Sequence, residues 1–445
     1  MTVVVYGTSP AALALAALLT TSGTRPLVVT AGEPPAACYR YLTIEQRRFH
    51  PYPWFWDEMG GTLGLVLERL GRGGLGSSRR LPVTALARLP EGDVVLPLSR
   101  DGLEAALLRR HPAQREDVAK WCATMSRLAQ DFLALAAPPA PKARPSAELA
   151  RFHGRRYLDY LPAVFSSPEL VRLLAIFVPH RDISVAAMAG YLFGQILAWR
   201  PIPGGLGAVV GLCADILGDM DVVPEAAAQL VTEGGRVRSV VLASGRELRC
   251  EWFISAYDDH CTAERLFPAA SRPPVASPRG VSREFMHLAA PQEALGPAAY
   301  HAITAFFAAP GDDGAARGDA LPALVAFNPA LVDDTLDAGG DAALTLWRAP
   351  GSRGPWQHVL RWAFPDLDVA ATVHRLLPAH ELGELIGVRD GDIHRWVVGA
   401  EPFLWPGRAC GLGLENLACL GEFGCAWFFS ALLACRRVPR VGVMA

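Results

Sequence analysis

The stretch "VVVYGTSPAALALAALLTTSGTRPLVVT", residues 3–30, constrains the fold of this chain more than any other. A strand-like run stops at Gly7, an Ala/Leu helix pattern continues to Gly23, and "PLVVT" resumes as a strand. Strand, tight turn, helix and strand make a βαβ unit, which commits its two strands to a parallel sheet. Ser9-Pro10 is a strong helix start, with Ser as N-cap and Pro at the first helical position. A glycine at the first turn is also what a dinucleotide-binding unit requires.

At 445 residues the chain has room for two domains, and 51% apolar with 19% charged residues describes a globular protein. A net charge of −2 without a basic stripe argues against nucleic-acid binding. The nine cysteines are odd in number and form no CxxC pair. With a start that runs straight into a strand and no leader-like basic segment, this predicts reduced thiols in a cytoplasmic protein. Cys410, Cys419, Cys425 and Cys435 cluster without a zinc spacing, so no metal is expected. The longest apolar candidate, "LACLGEFGCAWFFSALLAC", is interrupted by Glu422, and no membrane span is expected.

Further along, "FHPYPWFWDEMGG" reads as an aromatic loop, followed by an amphipathic helix from about Gly61. "EGDVVLPLSRDGLEAALLRRHP" reads as strand, turn and a helix capped near Ser99 or Asp101. Residues 115–200 read as helical, broken by the linker "APPAPKARPS". A glycine-rich turn then opens another helix in "RPIPGGLGAVVGLCADILGD", and a hairpin is expected at Ser244-Gly245. "WFISA" has the continuous apolar character of a buried parallel strand. Residues 285–400 alternate strand-like and helix-like patches.

In this order the pieces "PIPGGLGAVVGLCADIL", "EGGRVRSVVLASGRELRCEWFISA", "HRWVVGAEPFLWPG" and "ENLACLGEF" resemble the phytoene-desaturase and amine-oxidase family of FAD-dependent oxidoreductases, which includes protoporphyrinogen oxidase. The resemblance covers essentially the whole chain. It implies an α/β fold: a discontinuous Rossmann-like FAD-binding domain from residues 1–98, 202–275 and 405–445. A substrate domain from residues 99–201 and 276–404 would combine a helical part with an antiparallel sheet.

The family fingerprint G-x-G-x-x-G is degenerate here. Gly7 keeps the tight turn, Ser9 stands where the backbone should approach the pyrophosphate, and Ala12 stands where helix and strand pack. Two readings of Ser9 remain: it caps its own helix, or its hydroxyl donates to a phosphate. The family's ribose-binding acid falls on Thr30, with Glu33 three residues on as a substitute if the loop folds back. The family's arginine segment near the flavin is not recognisable, and Arg40, Arg47 and Arg48 are equivalent candidates. Gly421-Glu422 matches the glycine–acid pair near the ribityl chain, though Trp427, Phe428 and Phe429 follow where further glycines are usual.

In the aromatic loop His50, Trp54 and Asp57 are candidate substrate contacts, set against a loop folded on its own core. His180 and Arg181 read as surface charges, and His260 as part of a helix start. No catalytic acid or base can be picked out. The only lysines are Lys120 and Lys142, which leaves no place for the lysine frequent at the flavin edge of the amine-oxidising branch. The first functional expectation is an FAD-dependent oxidoreductase acting on a small, fairly apolar molecule. The alternative is a flavoprotein fold that has lost FAD and serves as a binding or partner subunit of an active flavoenzyme. A non-redox isomerase is a third, weaker reading.

Overall fold

The computed structural model describes residues 2–51, 67, 70–71, 83–136, 145–179, 181–198, 204–275, 284–307, 321–333, 335–336, 341–348, 355–370, 372–386, 412–420 and 438. The chain begins with β1 (Val3–Tyr6), α1 (Pro10–Thr21) and β2 (Pro26–Val29). Two hairpins follow: β3 (Leu42–Ile44) with β4 (Arg47–Phe49), then β5 (Thr84–Leu89) with β6 (Gly92–Pro97). A helical insertion comes next: α2 (Arg100–Arg110), α3 (Arg115–Ala136), α4 (Ala147–His153), α5 (Tyr157–Val164), α6 (Pro168–Ala175) and α7 (Val185–Tyr191).

The helix α8 (Gly205–Gly218) leads into β7 (Asp221–Val223), β8 (Ala227–Glu233), β9 (Arg236–Leu242), β10 (Glu247–Arg249), β11 (Trp252–Ser255) and α9 (Asp259–Leu266). A second sheet takes β12 (Phe285–Pro291), β13 (Ile303–Phe306), β14 (Leu324–Phe327), β15 (Asp341–Arg348) and β16 (Val373–Leu377). The last described strand is β17 (Leu417–Cys419).

The first sheet is parallel, in the order β17-β11-β1-β2-β7. β1 lies at its centre, which is why "VVVY" is apolar throughout. Val3 and Val5 face α1, while Val4 and Tyr6 face the antiparallel meander β8–β10. α1 is apolar on every side because it is buried on every side: Pro10 to Leu19 are all buried, between this sheet and α8. Asn416 ties β17 to the meander, accepting from Val237 N–H at 2.8 Å and donating to the carbonyls of Val237 and Glu251 at 2.8 and 2.7 Å.

The second sheet has the order β16-β12-β15-β14-β13-β5-β6 and is antiparallel except where β13 runs beside β5. One face packs on the helix Trp356–Ala363 through Leu288, Leu324, Leu344 and Leu346. The opposite face joins the core shared with α1, α8 and the insertion. Within the insertion, Trp121 is fully buried with Phe165 and Phe193 edge-on to it, at 6.2 and 5.5 Å.

Within residues 1–98, expected in the FAD-binding half, β5 and β6 pair into the second sheet, with Ala85 opposite Ile303. A hairpin is legible from its own residues, but the sheet it joins is decided by a partner some 200 residues away.

Candidate functional site

The C-terminal edge of the parallel sheet is where open α/β folds receive ligands, and the βαβ turn stands there. Gly7 takes φ +99°, a conformation that favours glycine, and its N–H donates to Val29 O at 2.9 Å. A Cβ on Gly7 would lie 2.6 Å from Ala256 Cβ and 3.4 Å from the Tyr257 ring. The close approach that the glycine permits is therefore used by the end of β11.

Ser9 caps α1: its Oγ accepts from Ala12 N–H at 3.2 Å, and Pro10 occupies the first helical position without an N–H to give. Thr8 holds the following loop, donating Oγ1–H to Pro34 O and accepting from Ala36 N–H, both at 2.8 Å. Thr8, Ser9, Ala11 and Ala12 are all buried by the chain itself.

At the end of β2, Thr30 is buried, donates its N–H to Val223 O, and accepts from Gly32 N–H at 3.4 Å. Glu33 faces the same edge half-buried. It accepts from Tyr257 Oη at 2.6 Å, with the Arg265 guanidinium 3.8 Å away and 4.1 Å above the Tyr257 ring. Burial, reinforced by the Glu33 carboxylate, pushes the Tyr257 phenol well above its ordinary pKa.

Set against the pyrophosphate of a dinucleotide, this turn fits in shape, with one amide, Ala12 N–H, taken up by Ser9 Oγ. Gly7 makes the reversal and Ala12 the close packing, while Ala11 N–H and the proton of the Ser9 hydroxyl are among the donors the turn could offer a phosphate. Thr30 Oγ1 and Glu33 would face the ribose.

A second constellation lies in the core shared by the two sheets. Asp333 has a fully buried side chain, and its Oδ2 is 2.8 Å from His50 Nε2 and 2.7 Å from Tyr41 Oη. Its Oδ1 accepts from Thr335 N–H at 3.0 Å and from Thr335 Oγ1 at 2.6 Å. Leu206 N–H, in the first turn of α8, points at Oδ2 from 3.4 Å. A carboxylate thus sits at the positive end of α8.

Burial alone would raise the Asp333 pKa. The hydrogen bonds from His50, Thr335 and Tyr41 outweigh it and hold the carboxyl far below the usual range. Burial lowers His50 in spite of Asp333, so the pair is a neutral imidazole donating to a carboxylate. Tyr41 is pushed up to about 12, by burial first.

Beneath this hub runs one row of residues directly opposite each other on five strands: Arg375, His287, Thr345, Phe327 and Ile303. Thr345 Oγ1 donates to His50 O at 3.2 Å and lies 3.3 Å from His287 Nδ1. His287 is lowered to about 3, chiefly by burial, then by Arg375 and His50. Its Nε2 has no hydrogen-bond partner among the described residues.

Three of the expected site residues, Gly7, Ser9 and Ala12, thus meet at one turn, with Thr30 beside them at the end of β2. His50, a candidate substrate contact, is fully buried and belongs to the Asp333 hub. His260 lies in the first turn of α9, whose cap is Asp258. Lys120 is exposed on α3. Gly421, Glu422, Trp54, Asp57, Trp427, Phe428, Phe429, His180 and Lys142, like Cys410, Cys425 and Cys435, lie outside the described residues. Asp333, Tyr257 and Asn416 were not singled out from sequence, and of these only Asn416, inside "ENLACL", stood in a motif already quoted.

No described helix is long and apolar enough to cross a membrane, and no described group of three His, Cys, Asp or Glu side chains is placed to hold a metal ion.

The fold is that of the FAD-dependent amine oxidases. No family model matches the sequence, and no curated protein matches it. Among solved structures, an oxidoreductase from Methanosarcina mazei is similar with TM-score 0.61 at 12% identity, covering 98% of this chain and 99% of the other. A putrescine oxidase double mutant is similar with TM-score 0.59 at 14% identity, covering 98% of both chains. A Rab GDI from Plasmodium falciparum is similar with TM-score 0.51 at 8% identity, covering 98% of this chain and 96% of the other.

Proposed function

We propose that this chain is an FAD-dependent oxidoreductase that acts on a small, fairly apolar molecule in the cytoplasm. The observation that carries the reading is the βαβ turn itself: Gly7 at φ +99°, the N-terminus of α1, and the end of β2 share one edge of a parallel sheet. The oxidoreductase and putrescine oxidase that share the fold support it.

The chemistry of the core favours an apolar substrate. The fully buried carboxylate of Asp333 is already satisfied by protein donors, and His50 and His287 are held neutral. A bound flavin would supply the hydride acceptor. The chain's own part is to shape the turn at Gly7, offer Ala11 N–H and Ser9 O–H, and keep water from the seam between the sheets.

The test is an anaerobic titration of FAD-loaded protein with apolar alcohols, amines and alkenes, followed as loss of flavin absorbance near ~450 nm. A protein that takes up no FAD, even in large excess, would sink the reading.

A second reading is a partner subunit without its own flavin. It is favoured by the Ser9 cap, which spends on the helix a donor that a phosphate would use. It predicts a colourless protein that raises the activity of a separate flavoenzyme when the two are mixed.

A further inference from the structure

The start of α1 is repeated elsewhere in the chain, away from any nucleotide edge. Ser167-Pro168 opens α6 in the helical insertion with the same geometry: Oγ accepts from Leu170 N–H at 3.3 Å, and Pro takes the first helical position. Ser99, Ser146 and Ser184 cap α2, α4 and α7 in the same way, at 3.3, 3.0 and 3.1 Å. Ser9 is therefore bonded as this chain's purely structural helix caps are bonded.

The rest of the edge is engaged in the same manner. Gly7 is approached by Ala256, Thr8 is tied to Pro34 and Ala36, and Thr30 to Val223 and Gly32. The carboxylate beside the end of β2, Glu33, is held by Tyr257 and faces Arg265. The Ala12 N–H, the Gly7 N–H, the Thr8 hydroxyl and the Glu33 carboxylate at this edge thus already have partners within the protein.

We propose that FAD is a dissociable ligand of this chain, taken up and released in equilibrium, and not a resident group. The proposal rests on the functional reading above. A ligand's phosphate must displace the Ser9–Ala12 bond or do without it, and a ribose must compete for Glu33 or accept Thr30. Each charge-assisted hydrogen bond forgone weakens binding about ten- to a hundredfold. Ser9 is then the residue that sets the affinity, because replacing it with glycine returns Ala12 N–H to the ligand and removes the side chain from its path.

The experiment is equilibrium dialysis and flavin-fluorescence titration with FAD on the full chain as wild type, Ser9→Gly and Ser167→Gly, with thermal melts to confirm folding. The wild type is expected colourless as purified, binding FAD reversibly, and losing it on dialysis. Ser9→Gly is expected to bind at least tenfold more tightly. Ser167→Gly removes an equivalent cap and is expected to leave FAD affinity unchanged. Stoichiometric FAD that survives dialysis of the wild type overturns the proposal and leaves the oxidoreductase reading standing. So does a Ser9→Gly protein that binds no more tightly than wild type, since the hydroxyl would then be a phosphate donor. Folded wild type and Ser9→Gly that both bind no FAD overturn the oxidoreductase reading as well.

Discussion

A Cβ placed on Gly205 would fall inside the carboxylate of Asp333. The two residues are 128 positions apart, and the glycine is required twice over: φ is +53°, and the space is taken. Gly205→Ala is therefore expected to cost about 3 kcal/mol or more, through strain and loss of the hub. Gly211 lies in the same helix, exposed, with nothing within 4 Å of its Cβ position. Gly211→Ala is expected to stabilise by up to about 1 kcal/mol. Urea denaturation of both variants checks the contrast, and equal effects would refute it.

Acid is expected to destabilise the protein in two successive windows. His287 is held at about 3 in the folded chain and returns to its ordinary value of ~6.5 on unfolding. As pH falls below ~6.5 the unfolded chain binds that proton first, so stability declines by about 1.4 kcal/mol per pH unit until the folded value is reached. His50 is lowered by burial and adds to the loss in the same direction. Asp333 is depressed as well, so its contribution is present above ~3.8 and is lost below it. Urea midpoints between pH 7 and pH 4 test this, and His287→Asn should flatten the slope. Parallel profiles would remove His287 as the cause.

Tyr257→Phe keeps the ring against Gly7 and removes the hydrogen bond to Glu33. Because Glu33 is about one-third exposed, the expected loss is small, about 1 kcal/mol. A shift in melting temperature of more than ten degrees would mean that the hydroxyl holds more than this one carboxylate.

Asn416→Ala removes three hydrogen bonds at once, two of them to the backbone of the buried Val237 and one to the Glu251 carbonyl. A cost of about 2–4 kcal/mol is expected. Hydrogen exchange should locate the damage in β17 and the meander. Protection lost first in the second sheet would contradict that placement.

What could be read from sequence was what short stretches decide for themselves. Ser9-Pro10 announces its cap because donor and acceptor are three residues apart, and the Ser244-Gly245 hairpin joins β9 to β10 as the pattern implies. The two readings of Ser9 stayed open because a serine can both cap and donate. Only geometry shows Oγ on Ala12 N–H. Asp333 was not legible, since "LVDDTLD" contains two adjacent aspartates and nothing local distinguishes the one that meets His50 from 283 residues away. His50 attracted notice for its aromatic neighbours, but its burial depends on that distant partner. Tyr257 follows β11 closely, and its reach to Glu33 comes from the parallel order β11-β1-β2, which brings the ends of β11 and β2 to the same edge.

The Asp333 hub also bears on the order in which the molecule assembles. It joins Tyr41 and His50, Leu206 in α8, and Asp333 itself, contacts that span 127 to 292 residues of sequence. Such contacts cannot help an early nucleus, because the intervening chain must first be brought together. Substitutions at Asp333 or His50 should then leave the refolding rate nearly unchanged and act on the rate of unfolding. The hub works as a late bolt, one that lengthens the lifetime of the finished structure without directing the route to it.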